Sequence, residues 1–141
     1  MLFRSGISIS AAVAPVEWKG TKINVIDVPG YFDFIGEMMG PLRVVETAGI
    51  VVGAVSGLDV GAEKAWNYSK KNNVCRMFII NRMDAENANY MKVIDQLRGK
   101  FGSSVVPMLL PAIALCSELI LLLIVVSATI FPASSRMTAF V

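Results

Sequence analysis

Two short polar loops carry residue types and spacings that could bind a nucleotide. The first, Asp27-Val28-Pro29-Gly30, follows an apolar run, and its carboxylate could hold a hydrated magnesium ion. Gly30 has no side chain to keep its backbone N–H away from a terminal phosphate. The second loop, Asn81-Arg82-Met83-Asp84, follows another apolar run, and Asn81 could brace it. Asp84 could accept two N–H bonds from the edge of guanine, which adenine does not offer, so Asp84 would decide base identity.

Each loop also has an ordinary structural explanation. Asp-x-x-Gly and Asn-x-x-Asp are turn-forming patterns, so either loop alone would equally fit a capped turn between a strand and a helix. In an open α/β sheet, however, ligands bind beyond the carboxyl ends of the strands. Both loops are expected at such ends, and their combination therefore favours a nucleotide site over two unrelated turns.

Alternating apolar runs and helix-like segments predict an α/β layer structure around these loops. Strands are expected at residues 8–18, 22–27, 48–55, 75–80 and 105–106, and helices at residues 33–45, 59–72 and 87–101. A turn at Gly20 should join the first two strands as a hairpin. Pro41 should kink the first helix, and Asp59 is a candidate cap for the second. We therefore expect a mostly parallel sheet with flanking helices.

The composition excludes several kinds of protein. The 141 residues carry a formal charge of +2, far from the basic excess of a nucleic-acid-binding surface, so we expect no DNA partner. The sequence contains no histidine, which removes every histidine-dependent catalytic scheme. Its two cysteines, Cys75 and Cys116, are too few for a zinc site or a disulfide framework. These features predict a reduced, cytoplasmic protein.

The composition changes near residue 108. Beyond this point the only charged residues are Glu118 and Arg136, so we predict a domain over residues 1–108 and an apolar, helix-like tail over residues 109–141. Residues 112–131 are long enough to cross a bilayer as a helix, but Glu118 interrupts them and the uncharged stretch after it is short for a span. A membrane anchor, a buried segment and a frame-shifted end therefore stay open.

Several stretches together resemble a known family. Gly6-Ile7-Ser8-Ile9 is similar to the end of the first switch of translational GTPases, residues 22–34 to their second switch, and residues 77–84 to their guanine-specificity loop. Over residues 4–108 the likeness is strongest to the GTP-binding domain of elongation factor G and its relatives. It implies a partial P-loop GTPase fold, with GTP and Mg²⁺ as ligands and the ribosome as partner.

The resemblance also implies roles for individual residues. It places Ser8 and Asp27 at Mg²⁺, partly through water. It places residues 27–31 and 81–84 at GTP, with Tyr31 where the family usually has the histidine that orients the attacking water. Tyrosine is a poor base near neutral pH, although its hydroxyl could still position water.

Two further departures limit what the resemblance implies. No Gly-x-x-x-x-Gly-Lys-Ser/Thr motif occurs in the sequence, so most of the phosphate-binding energy is expected to be missing. Residues 112–141 do not resemble the family. We therefore expect a GTPase relative whose GTP binding and hydrolysis are impaired. The alternative is a small membrane-associated protein with a non-catalytic remnant of a GTPase domain.

Overall fold

The computed structural model describes residues 8–109, 122–126 and 136–140 of the chain. The strands are β1 (Ala12–Trp18), β2 (Thr21–Asp27), β3 (Thr47–Gly53), β4 (Cys75–Asn81), β5 (Val105–Pro107), β6 (Leu122–Val126) and β7 (Arg136–Phe140). The helices are α1 (Gly36–Met39), α2 (Val60–Lys71) and α3 (Tyr90–Phe101). Strands and helices alternate up to β5 after an initial hairpin, so the α/β fold class predicted from the sequence is confirmed.

The seven strands form one sheet in the order β1-β2-β7-β3-β4-β6-β5. β1 and β2 form the expected antiparallel hairpin, and Gly20 in its turn has a φ of 75°. The four strands β2, β7, β3 and β4 run parallel to one another, whereas β6 lies antiparallel between β4 and β5. The centre of the sheet is thus parallel, as predicted, and β6 is an exception that the pattern did not indicate.

The segment predicted as a helix-like tail contains two strands among its described residues, Leu122–Val126 and Arg136–Phe140. β6 pairs with β4 and β5, and β7 pairs with β2 and β3. A run of leucine, isoleucine and valine suits a strand, because β-branched residues favour extended backbone. The proposed span over residues 112–131 lies outside the described residues except for β6. Within the described part of the chain, no helix is long and apolar enough to cross a membrane.

The helix expected over residues 33–45 is broken into three short pieces. A 3₁₀ turn covers Phe32–Phe34, α1 follows it, and a second 3₁₀ turn covers Pro41–Arg43. Two glycines in this span weaken a helix, and the ring of Pro41 removes a backbone donor. Proline therefore starts a new turn here instead of kinking a continuous helix.

The core lies where α2 and α3 pack on the sheet. Phe78 of β4 has no exposed surface, and its ring centroid lies 5.3 Å from that of Trp66 of α2. The ring centroid of Phe101, the last residue of α3, lies 5.3 Å from Phe78 and 4.4 Å from Trp66. This aromatic cluster ties both helices to β4, the strand that carries the second predicted loop.

Each long helix begins at a side-chain cap. Asp59 accepts a hydrogen bond of 2.7 Å from the backbone N–H of Ala62, and Asn89 accepts one of 3.0 Å from the N–H of Lys92. Such caps satisfy donors that the first helical turn leaves unpaired. The cap at Asp59, which the sequence predicts, fixes the point where the chain leaves the loop after β3.

Candidate nucleotide site

Both predicted loops open at one edge of the sheet. In the parallel register, Gly53 at the end of β3 lies beside Asn81 at the end of β4. Phe140 of β7 lies between Asp27, the last residue of β2, and Gly49 of β3. Since β2, β7, β3 and β4 run in the same direction, their carboxyl ends share this edge. β7 and β3 separate the first loop from the second.

The hydroxyl of Ser8 and the carboxylate of Asp27 are in direct contact. Ser8 Oγ donates a hydrogen bond of 2.6 Å to Asp27 Oδ2, and both residues are exposed. Mg²⁺ prefers such oxygen ligands and needs only one or two from the protein, because it keeps several waters and binds substrate phosphates. The pair therefore fits a Mg²⁺ ion shared with a nucleotide. Among the described residues there is no cluster of three acidic, histidine or cysteine side chains that could hold a metal alone.

The rest of the first loop packs against the start of α2. Val28 and Pro29 are buried, whereas Gly30 is exposed. The carbonyl oxygen of Gly30 lies 3.3 Å from the position that a Cβ on Gly61 would take, so the two backbones are close. Pro29 and Gly30 line a small cavity of about 50 Å³. This volume is too small for a nucleotide, so Gly30 is available to a ligand only from the solvent side.

Tyr31 lies at the same small cavity with its side chain turned largely to solvent. Its carbonyl oxygen accepts a hydrogen bond of 3.0 Å from the N–H of Phe34, which fixes the backbone at the start of the first 3₁₀ turn. The residue is 57% exposed. The main chain of Tyr31 is therefore anchored, while more than half of the residue's surface is exposed to solvent.

The second loop is held by its first residue. The side-chain oxygen of Asn81 accepts a hydrogen bond of 2.8 Å from the N–H of Arg82, which has a φ of 59° in the left-handed region. The carbonyl oxygen of Asn81 also accepts a bond of 2.8 Å from the N–H of Ala54, which ties the loop to the end of β3. Met83 is half-buried against the core, and Asp84 is exposed.

A cleft of about 640 Å³ opens beside this loop. Asn81 and Arg82 line it, whereas Met83 and Asp84 are not among its lining residues. The other lining residues come from β3, from the chain that follows β3 and from beyond the second loop: Val51, Gly53, Val55, Ser56, Ala85 and Glu86. The volume lies within the range of small-molecule sites. Sequence reasoning missed the chain after β3, although it follows a buried strand that ends at the same edge.

Gly57 and Gln96 hold the loop that follows β3. Gly57 has a φ of 71°, and its N–H donates a hydrogen bond of 2.9 Å to the carbonyl of Gly53. The N–H of Leu58 donates to Gln96 Oε1 of α3 over 3.3 Å. A Cβ on Gly57 would collide with that same Gln96 oxygen. Only glycine therefore fits here without moving the glutamine.

In open α/β sheets, ligands bind beyond the carboxyl ends of the strands, which is where the Ser8–Asp27 pair and the cleft beside the Asn81 loop lie. The arrangement is therefore the one expected of a nucleotide-binding α/β domain. Residues 4–136 match the model of the family described as the elongation factor Tu GTP binding domain. The chain therefore belongs to this family, and the resemblance to translational GTPases is confirmed. The family match extends past residue 108 into the segment that we predict as a separate tail.

Individual relatives agree with this assignment. Over 106 residues the chain is 38% identical to an elongation factor G-like protein of Thermotoga maritima, covering 75% of this chain and 16% of that protein. It is 41% identical to elongation factor G of Chlamydia trachomatis over 106 residues, which cover 75% of this chain and 15% of the relative. A solved structure of a Thermus thermophilus protein matches 73% of this chain and 16% of its own, with a TM-score of 0.65 and 29% identity. The chain thus spans less than a fifth of the length of these proteins.

Proposed function

We propose that this chain is the part of an elongation factor G-type GTP-binding domain that contacts Mg²⁺ and the guanine base. The observation that carries the proposal is the 2.6 Å hydrogen bond between Ser8 and Asp27. These residues lie far apart in the sequence, and the fold brings them together at the sheet edge that also holds the Asn81 loop. A family whose model is named for GTP binding supplies the class of ligand.

The proposed roles follow from the chemistry at each position. Asp27 would hold Mg²⁺ partly through water, and the hydroxyl of Ser8 would be the second protein group at the ion. The ion, when bound, neutralises charge on the phosphates. Gly30 offers its exposed N–H to a terminal phosphate. Asp84, exposed beyond the braced start of its loop, accepts two N–H bonds from guanine.

We further propose that this polypeptide by itself binds GTP weakly and hydrolyses it without useful turnover. Its sequence lacks the Gly-x-x-x-x-Gly-Lys-Ser/Thr motif that cradles phosphates in P-loop enzymes. Tyr31 is also a poor replacement for a histidine at the position that the resemblance assigns to catalysis. We also propose the ribosome as partner and a cytoplasmic location, because the relatives are named elongation factor G and elongation factor G-like protein.

A titration of the ¹⁵N-labelled full chain with GTP and Mg²⁺, followed by NMR, tests binding. We expect shifts of the backbone amides of residues 27, 28, 30, 31 and 81–84, since Pro29 has no amide proton, with a dissociation constant on the order of 1 mM, equivalent to about 4 kcal/mol of binding free energy. ATP should leave residues 81–84 unshifted. Absence of any shift at about 5 mM GTP would refute binding, and a micromolar constant in calorimetry would refute the proposed impairment.

Two substitutions assign the roles of the acidic residues. Asp84→Asn should move the preference from guanine to xanthine nucleotides. The asparagine amide has one acceptor and one donor where the aspartate carboxylate has two acceptors. Asp27→Asn should abolish the Mg²⁺ dependence of the GTP-induced shifts. Asp95→Asn, on the exposed face of α3, is the matched control and should change neither property. An unchanged base preference in the Asp84 variant would remove that residue from its assigned role.

A further inference from the structure

Another cleft, of about 370 Å³, opens between α2, the start of β4 and the end of α3. Arg76, the second residue of β4, lines this cleft, whereas Asn81 of the nucleotide site is the last residue of the same strand. A strand in a parallel sheet rises about 3.3 Å per residue, so the two positions are about 16 Å apart. We call this region the cationic cleft, and it is separate from the nucleotide site.

Arg76 brings an unpaired hydrogen-bond donor to the cationic cleft. Its guanidinium carbon lies 4.5 Å from the ring centroid of Trp66. The Nε–H of Arg76 is buried and has no hydrogen-bond partner among the described residues. Burial also lowers the pKa of the Arg76 guanidinium, with the charge of Cys75 raising it by less. A buried donor without an acceptor is costly, and an anion in the cleft would supply the acceptor.

The charged groups that line the cleft are mostly positive. Lys70, Arg76 and Lys100 contribute three cations, and Glu63 is the one carboxylate among the described lining residues. Lys100 Nζ lies 2.8 Å from Glu63 Oε1, so this carboxylate is already paired. Lys70 and Arg76 are left as an excess of two positive charges, which a dianion would balance.

The remaining groups of the cleft suit an oxyanion better than an aromatic ligand. Trp66 is only 9% exposed, because its ring packs against two phenylalanines of the core and the guanidinium of Arg76. Its ring is therefore not free to stack on a ligand. Asn67 and Ser104 are exposed at the cleft and add an amide and a hydroxyl as neutral donors. The planar fork of an arginine matches the oxygens of a phosphate or a carboxylate.

We propose that the cationic cleft binds a small phosphate-bearing molecule through the guanidinium of Arg76 and the ammonium group of Lys70. A phosphate monoester carries a charge of about −1.5 to −2 at pH 7 and three acceptor oxygens, which matches the two unbalanced cations. A carboxylate brings only one charge. The volume lies within the range of small-molecule sites. Binding here requires neither Mg²⁺ nor a guanine base, so its failure and that of the proposed function are distinguishable.

A titration of the ¹⁵N-labelled full chain with sodium phosphate, without Mg²⁺ or nucleotide and at constant ionic strength, tests the proposal by NMR. The Nε–H of Arg76 and the indole N–H of Trp66 report on the cleft. The indole N–H of Trp18 is the control for an exposed surface lysine, because Lys19 Nζ lies 5.6 Å from the centroid of that ring. We expect saturable shifts of the first two signals only, with a dissociation constant on the order of 1 mM. No saturable shift at about 20 mM phosphate would overturn the proposal.

Two other anions identify the kind of ligand. Acetate, with its single charge, should bind roughly tenfold more weakly than phosphate, and equal affinity would contradict a site for a dianion. A short single-stranded RNA presents phosphodiesters instead of a free phosphate group. If this RNA shifts the Arg76 signal and inorganic phosphate does not, the cleft is a nucleic-acid contact and the proposal is overturned.

Matched variants assign the binding to the cleft. Lys70→Gln should raise the dissociation constant for phosphate roughly fivefold, whereas Lys71→Gln, at an equally exposed neighbour outside the cleft, should leave it unchanged. Glu63→Gln should lower the constant, since it removes the carboxylate and releases Lys100. Arg76→Lys keeps the charge but loses the fork and should weaken binding roughly tenfold. Equal effects of the Lys70 and Lys71 variants would overturn the proposal, and this comparison stands even if the Arg76 variant does not fold.

Discussion

Replacing Gly57 with alanine should destabilise the folded chain by about 1.5–3.5 kcal/mol. A φ of 71° costs an alanine about 1–2 kcal/mol, because its Cβ approaches the following carbonyl oxygen. The new Cβ would also collide with Gln96 Oε1. The glutamine must then turn away and lose its hydrogen bond of 3.3 Å from the N–H of Leu58, which is worth about 0.5–1.5 kcal/mol.

Urea unfolding of a double-mutant cycle separates the two costs. Gly20→Ala is the matched control, because Gly20 has a φ of 75° and no neighbouring atom within 4 Å of the added Cβ. This variant should lose only the backbone cost of about 1–2 kcal/mol. In a Gln96→Ala background the collision is gone, so Gly57→Ala should cost no more than Gly20→Ala. Equal losses at Gly57 and Gly20 in the natural background, or an undiminished loss beside Gln96→Ala, would refute the reasoning.

Three further predictions concern the core, a helix cap and alkaline pH. Phe78→Ala should lower the free energy of unfolding by about 3–5 kcal/mol in urea denaturation, because it empties a site packed against Trp66; a loss below about 1 kcal/mol would contradict this packing. Asp59→Ala should cost about 0.5–2 kcal/mol through the lost bond to the N–H of Ala62, whereas Asp59→Asn should cost little. Burial raises the pKa of Tyr90 above its ordinary value of 10.0, with the charge of Arg98 lowering it by less. The unfolded chain then loses this proton first, so stability should fall as pH rises past 10; Tyr90→Phe should flatten that fall in pH-dependent thermal melts, and an identical slope would contradict it.

Local signals in the sequence were sufficient for most elements of the fold. The hairpin turn at Gly20, the cap at Asp59 and the buried run of β4 each depend on residues close in the chain. The sequence pattern did not predict the secondary structure correctly where that structure depends on residues far away in the chain. The apolar run of β6 is compatible with a helix or a strand by periodicity alone, and its pairing with β4 decides the matter. Pro41 indicates a break, but its position alone does not say whether a kink or a new turn results.

In the candidate site, too, the sequence predicts what depends on local residues and not what depends on distant ones. The sequence picked out Asp27 and Asn81 because polar residues directly follow apolar runs. It did not indicate the end of β3 and the loop that follows it, where the small residues Gly53 and Ser56 line the cleft and no residue from 53 to 58 carries a charge. Their role depends on the register that sets Gly53 beside Asn81. Nothing in a local pattern reports that register, since it is a property of the assembled sheet.

Bound GTP should stabilise the folded chain only slightly if its affinity is as weak as we propose. A ligand stabilises the state that binds it by RT ln(1 + [L]/Kd), so GTP at a concentration equal to a millimolar Kd adds about 0.4 kcal/mol. That is less than the net worth of one typical hydrogen bond, about 1 kcal/mol. At this affinity, GTP should leave the urea midpoint of the chain almost unchanged. With a micromolar Kd, millimolar GTP would add about 4 kcal/mol and raise the midpoint clearly, which would contradict the proposed impairment.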